Sequence, residues 1–143
     1  MLSASPTFRS SGIGGRRAED PLKVLIADDH ADTREAFRIF LEGVGIEVWS
    51  ASDGLDAIRI ARAVYPDVIV LDVQMPAFDG YEVVRVLRAS HDTAEIAILL
   101  LTGAVGPQNP EPEQGQADGV LTKPCLPAEL LTAIRATRRA RES

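Results

Sequence analysis

The chain has little of several things. It contains one cysteine, Cys125, and two lysines against thirteen arginines, and only 5% of its 143 residues are aromatic. A single cysteine excludes an intrachain disulfide framework and a zinc site built on cysteines. The longest strongly apolar run, Ile96–Leu101, falls far short of the roughly 20 residues that a bilayer span requires. No apolar stretch follows the N-terminus, so no secretory signal is expected. The expected location is a reducing cytoplasm, with no membrane contact.

What is present is ordinary for a globular protein: 45% apolar and 25% charged residues. The length suits one domain. The net charge of −6 argues against coating nucleic acid. Residues 1–20 carry +1 and residues 132–143 carry +3, which leaves −10 for the middle of the chain. Residues 1–20, rich in Ser and Gly, read as a flexible tail. A domain is expected over 21–138, followed by a short basic tail at 139–143.

From Pro21 onward, apolar runs alternate with helical patterns. Leu22–Ala27, Ile46–Ala51, Val68–Leu71, Ile96–Leu101 and Val120–Leu121 read as strands. Ala36, Phe37, Phe40 and Leu41 mark one helical face, and Gly43 and Gly45 end that helix. Asp53 is placed to cap a second helix. Asp79 caps a third, with Glu82 three residues on as a capping box requires. Pro127 opens the last helix. Continuously apolar strands between amphipathic helices imply an α/β fold: a doubly wound, five-stranded parallel sheet covered on both faces. Residues 103–116 contain three prolines and three glycines. The fourth crossover helix is therefore expected to be short or missing.

In such folds, ligands bind beyond the carboxyl ends of the strands. Asp28, Asp29, Asp72, Thr102 and Lys123 all fall there. Close carboxylates repel, by about 4 kcal/mol for a pair 4 Å apart near a surface. A divalent cation relieves this, and few carboxylates plus water suit Mg²⁺. A free carboxylate beside a cation suits phosphoryl transfer, with Asp72 as nucleophile and Thr102 and Lys123 on the phosphoryl oxygens. Any one of these aspartates alone would read as a turn or cap residue. Their coincidence at successive strand ends is what argues for chemistry.

At these residues the sequence resembles the receiver domain of two-component response regulators. Leu25-Ile26-Ala27-Asp28-Asp29-His30 is similar to the family's acidic pair. Pro66–Pro76 with Asp79-Gly80 resembles its phosphoacceptor block, and Leu101-Thr102-Gly103 and Leu121-Thr122-Lys123-Pro124 resemble the remaining two motifs. The resemblance spans about residues 22–138. It implies a flavodoxin-like sheet of order 2-1-3-4-5 and phosphorylation of Asp72 by a sensor histidine kinase or a histidine phosphotransfer domain. It also implies Mg²⁺ held by Asp28, Asp29, Asp72 and the backbone carbonyl of Gln74. Thr102 and Lys123 would bind the phosphoryl group, Gly103 would keep access open, and Lys123–Pro124 would be cis. Such a domain is a phosphoacceptor rather than an enzyme, acting on a downstream protein that the sequence does not name.

Two features depart from that family. Val120 stands where an inward-swinging aromatic partners Thr102 in the switch, and the fourth crossover is Pro/Gly-rich. Both lie on the family's usual output face, so an altered readout is expected. The alternative from another class is a pseudo-receiver, a phosphorylation-independent interaction module. The full set of Asp28, Asp29, Asp72, Thr102 and Lys123 argues against it. A haloacid-dehalogenase-type phosphatase wants an acid where Gln74 stands. His30 could ligate metal, but an oxygen-rich Mg²⁺ site leaves imidazole no clear task. Cys125 reads as a small buried hydrophobe. Arg135, Arg138 and Arg139 read as a solvated helix face rather than a nucleic-acid contact.

Overall fold

A computed structural model describes residues 20–103 and 116–142. The tail expected over 1–20 and the Pro/Gly-rich segment, together with Ala104 beside the site, lie almost wholly outside the described residues. The element order is β1 (Lys23–Ala27), α1 (Ala31–Gly43), β2 (Glu47–Ala51), α2 (Gly54–Val64), β3 (Val68–Asp72), α3 (Gly80–Ala89), β4 (Ala97–Thr102), β5 (Gly119–Thr122) and α4 (Pro127–Glu142). All strand pairs are parallel, in the order β2-β1-β3-β4-β5. The last helix runs through Glu142, so residues 139–142 are helical rather than a tail.

Strand alternation sorts the core into two layers, because successive side chains point to opposite faces. Leu25, Ile69, Leu71, Ile98 and Leu100 pack with Ala57, Ala61, Val83 and Leu87 from α2 and α3. Val24, Ile26, Val68, Val70 and Leu99 pack with Phe37, Leu41, Leu130 and Ile134 from α1 and α4. Every residue of β3 and β4 is buried. Edge strand β5 instead alternates between half-buried and exposed.

The helix starts follow from local chemistry. The Asp53 carboxylate accepts a hydrogen bond from the Asp56 amide. Asp79 and Glu82 form a reciprocal capping box, which satisfies two amide donors that would otherwise lack partners. β5 is anchored through Asp118, which stands immediately before it. Its carboxylate accepts from Arg88 (2.9 Å), Arg141 (3.3 Å) and the amide of Ile98 (2.9 Å). Burial and the nearby Arg141 charge push the Arg88 guanidinium down, and Asp118 opposes that. One carboxylate therefore ties α3, β4 and α4 to the base of β5.

Two glycines respond oppositely to an added methyl group. A Cβ on Gly54 would lie 2.1 Å from the Phe78 carbonyl oxygen and 2.9 Å from Val83 Cγ2, whereas one on Gly43 meets nothing within 4 Å. Gly54→Ala is expected to destabilise by about 1–3 kcal/mol through overpacking. Gly43→Ala should gain up to about 1 kcal/mol of helix propensity. Urea midpoints at unchanged m-value check this, and shifts of the same sign for both variants would contradict it.

Candidate phosphoryl and metal site

The site forms where the chain leaves β1, β3, β4 and β5. Asp28 extends the β1–β2 pairing by one step, its amide donating to the Ala51 carbonyl at 3.1 Å. Its side chain is fully buried. Asp72 is the last residue of β3 and only 3% exposed. Lys123 follows β5, its amide donating to the Thr102 carbonyl at 2.7 Å. From there the ammonium group reaches Asp72 Oδ2 at 3.1 Å and Asp28 Oδ2 at 3.3 Å. The Lys123–Pro124 peptide is cis.

Each carboxylate divides its two oxygens. Asp28 Oδ2 faces Lys123, while Oδ1 accepts from the His30 amide at 2.9 Å and lies 3.2 Å from His30 Nδ1. Asp72 Oδ2 faces Lys123, and its Oδ1 accepts from the Gln74 amide at 3.0 Å. Asp29 is more exposed, and its Oδ1 is 3.1 Å from His30 Nδ1. Arg34, one helical turn into α1, donates to the Asp28 carbonyl at 2.6 Å and pins the turn between β1 and α1.

Burial pushes the Asp72 carboxyl above the ordinary carboxylate range, and the Asp28 charge adds to this. The Gln74 amide and Lys123 oppose it without cancelling it. For Lys123 the balance is reversed. Burial pulls the ammonium down, but its hydrogen bond to Asp72 and the charges of Asp28 and Asp72 carry it above its usual value. Three carboxylates around one ammonium leave an excess of negative charge. One ligand atom from each of Asp28, Asp29, His30 and Asp72 can be chosen so that all four lie within 4.8 Å of one another. This donor set, mostly oxygen and short of positive charge, fits a hard divalent cation.

The other sequence-selected residues fall around this cluster. Thr102 ends β4 nearly buried, in register with Thr122. A Cβ on Gly103 would meet nothing within 4 Å, so the described surroundings do not demand glycine there for space. Val120, on β5, is 44% exposed. Cys125 is half-buried beside Pro124, and burial pushes its thiol up. Arg34 and the close packing of Gly80 against Asp72 are contributions that sequence reasoning missed. Arg34 lies one helical turn beyond His30, a spacing that could have pointed to it, but nothing local marks its reach back to Asp28.

The chain is similar to known proteins in sequence and in fold. A family model described as the response regulator receiver domain matches residues 24–135. The chain is 38% identical over 121 residues to the transcriptional regulatory protein PrrA of Mycobacterium bovis, covering 85% of this chain and 52% of that protein. It is 38% identical over 119 residues to the response regulator MprA of Mycobacterium sp. strain KMS, covering 83% and 51%. The chain thus spans about half the length of these curated relatives. Among solved structures, the chemotaxis response regulator CheY4 of Vibrio cholerae matches at 32% identity with a TM-score of 0.74, over 82% of this chain and 98% of that one. The signal receiver domain of a histidine kinase from Syntrophus aciditrophicus matches at 29% identity and a TM-score of 0.71, over 82% and 89%.

The raised Asp72 pKa carries a sign for stability. Above the ordinary carboxylate range the folded state must hold an ionised group that it disfavours, so stability falls as pH rises through the gap between the unfolded and folded values. Asp72→Asn is therefore expected to raise the Tm in EDTA at pH 7, with the gain vanishing once pH drops below about 4. An equal or lower Tm at pH 7 would contradict this.

Proposed function

The chain belongs to the response regulator receiver domain family, and from that premise we propose that Asp72 is its phosphoacceptor, charged by a sensor histidine kinase or a histidine phosphotransfer domain. The observation that carries this is the Lys123 ammonium held between two buried carboxylates at the sheet edge. A receiver accepts and loses a phosphoryl group in signalling rather than turning over a substrate.

In this reading an oxygen of Asp72 attacks phosphorus while the P–N bond of the donor phosphohistidine breaks. The product is an acyl phosphate on Asp72, and the imidazole leaves. Lys123, already within hydrogen-bond reach of Asp72, follows the transferred phosphoryl oxygens and offsets their charge. Thr102, at the end of the neighbouring strand, supplies a hydroxyl donor to the same group, and Gly103 flanks it. Asp28, Asp29, Asp72 and the Gln74 carbonyl would hold Mg²⁺. When bound, that ion neutralises charge on the phosphoryl oxygens as they approach the carboxylates. The Gln74 amide keeps Asp72 oriented by bonding its Oδ1.

The domain is proposed to work in the cytoplasm. Among the described residues no helix is long and apolar enough to cross a membrane. Its output is proposed to be altered contact with a downstream protein. Val120 has no ring to swing between exposed and buried positions, so β5 cannot report phosphorylation by an aromatic flip.

Incubation with acetyl phosphate and Mg²⁺ is expected to add about 80 Da, the phosphoryl mass. EDTA and Asp72→Asn should each abolish the adduct. An adduct that survives Asp72→Asn, or none on the unmodified chain, would overturn the assignment. Amide shifts compared between free and phosphorylated chain test the readout. A β5 response matching that of a receiver with an aromatic residue at the Val120 position would contradict it.

A further inference from the structure

β5 has little apolar burial with which to fix its register. It is an edge strand of four residues paired with β4, and its residues alternate between half-buried and exposed. Register is weakly specified where no face of a strand is fully buried. Lys123, the residue that follows β5, nevertheless requires an accurate one. A slip of one residue along β4 would move the strand by about 3.3 Å and turn its side chains to the opposite face. The ammonium would then lose both Asp72 and Asp28, which it now meets at 3.1 Å and 3.3 Å.

The register is held from the opposite end of the strand. Asp118 pairs with Ile98 twice: its amide donates to the Ile98 carbonyl at 2.8 Å, and its Oδ2 accepts from the Ile98 amide at 2.9 Å. The same carboxylate accepts from Arg88 and Arg141. Both guanidinium groups are fixed in turn. Arg88 also donates to the carbonyls of Ala94, Ile96 and Gln116, and Arg141 to those of Ala94 and Glu95. Asp118 and Arg88 are largely buried. A slip of β5 would break these bonds together and leave buried charges unpaired.

We infer that Asp118 is a positioning residue for Lys123: with Arg88 and Arg141 it sets the register of β5, and so the reach of the ammonium to Asp72 and to the phosphoryl group arriving there. This rests on the phosphoacceptor reading and adds to it three residues at the far end of the sheet. None of them touches the reacting atoms. Their effect passes through the backbone of one short strand.

The chain has two lysines, Lys23 and Lys123, so labelling lysine Cε with ¹³C gives two side-chain signals, and Lys23 on β1 is the internal reference. Order parameters of these signals report how tightly each side chain is held. In Asp118→Asn and Arg141→Gln, the Lys123 value is expected to fall while that of Lys23 stays. Phosphorylation by acetyl phosphate at saturating Mg²⁺ should slow about tenfold or more in Asp118→Asn. Mg²⁺ affinity should hold or tighten, because the carboxylates that would bind the ion leave from β1 and β3, and a general loss of structure would weaken it. Ile60→Val, a core change in α2 remote from β5, should leave the Lys123 order as it is. Arg141→Gln removes one tie and leaves Asp118 with Arg88 and Ile98, so it carries the test if Asp118→Asn does not fold. Unchanged Lys123 order overturns the inference, as does equal loss in Ile60→Val, weakened Mg²⁺ binding, or a rate kept within about twofold. The phosphoryl reading fails separately. An unsubstituted chain that takes no phosphoryl group overturns that reading, while the lysine order still tests the placement of Lys123.

Discussion

The Lys123 ammonium group is the constraint on which the site depends. It reaches from the end of edge strand β5, past β4, to carboxylates at the ends of β3 and β1. Two carboxylates this buried cannot both stay ionised without a cation, because desolvation and mutual repulsion both oppose the charged forms. Lys123 relieves part of that stress, and the direction of the Asp72 shift shows that it does not relieve all of it. What remains is a standing demand for positive charge, concentrated where a divalent ion would sit. The cost lies on the carboxylate side: without Lys123, two buried negative charges would be left uncompensated, whereas without the Asp72 charge Lys123 keeps Asp28.

The rest of the fold serves to hold that ammonium in place. Because all five strands run parallel, their carboxyl ends collect at one edge. The two core layers fix the strands against each other, and the Asp118 carboxylate fastens the base of β5 to α3, β4 and α4. β5 has only four residues and alternating exposure. Without that anchor its burial alone would locate Lys123 loosely. The basic end of the chain, peripheral on charge grounds, has a structural task here: Arg141 is one of the two guanidinium groups on Asp118.

Much of this was legible in the sequence for physical reasons. Uninterrupted apolar runs such as Val68–Leu71 announce strands buried on both faces, and Asp53 and Asp79 announce helix starts because their side chains complete unpaired amides. The order 2-1-3-4-5 comes from the family resemblance, since parallel crossovers alone leave several doubly wound orders open. Less legible was anything set by contacts between distant segments. The expected domain boundary at 138 missed that the last helix runs on through Glu142, where Arg141 is held by Asp118 and by the Ala94 and Glu95 carbonyls, contacts that no local pattern announces. The approach of His30 Nδ1 to the Asp28 and Asp29 carboxylates was not legible, since the direction of a ring is set by side-chain torsions that its letter does not reveal. Cys125, expected to be buried, is only half so, because it lies in the loop between β5 and α4 rather than within either element.

Gly80 connects the site to a helix without any slack. A Cβ there would lie 2.7 Å from the Asp72 carbonyl oxygen and 2.8 Å from Val73 Cα, so the start of α3 rests directly on the backbone of Asp72. The Gly80 amide also donates to the Val73 carbonyl at 3.2 Å. A contact with neither gap nor side-chain cushion behaves as a stiff joint. Displacing the Asp72 backbone by a few tenths of an ångström must carry the amino end of α3 with it, because no rotamer stands between them to absorb the motion. The acceptor strand and this helix therefore form one mechanical lever, with its short arm at the carboxylate.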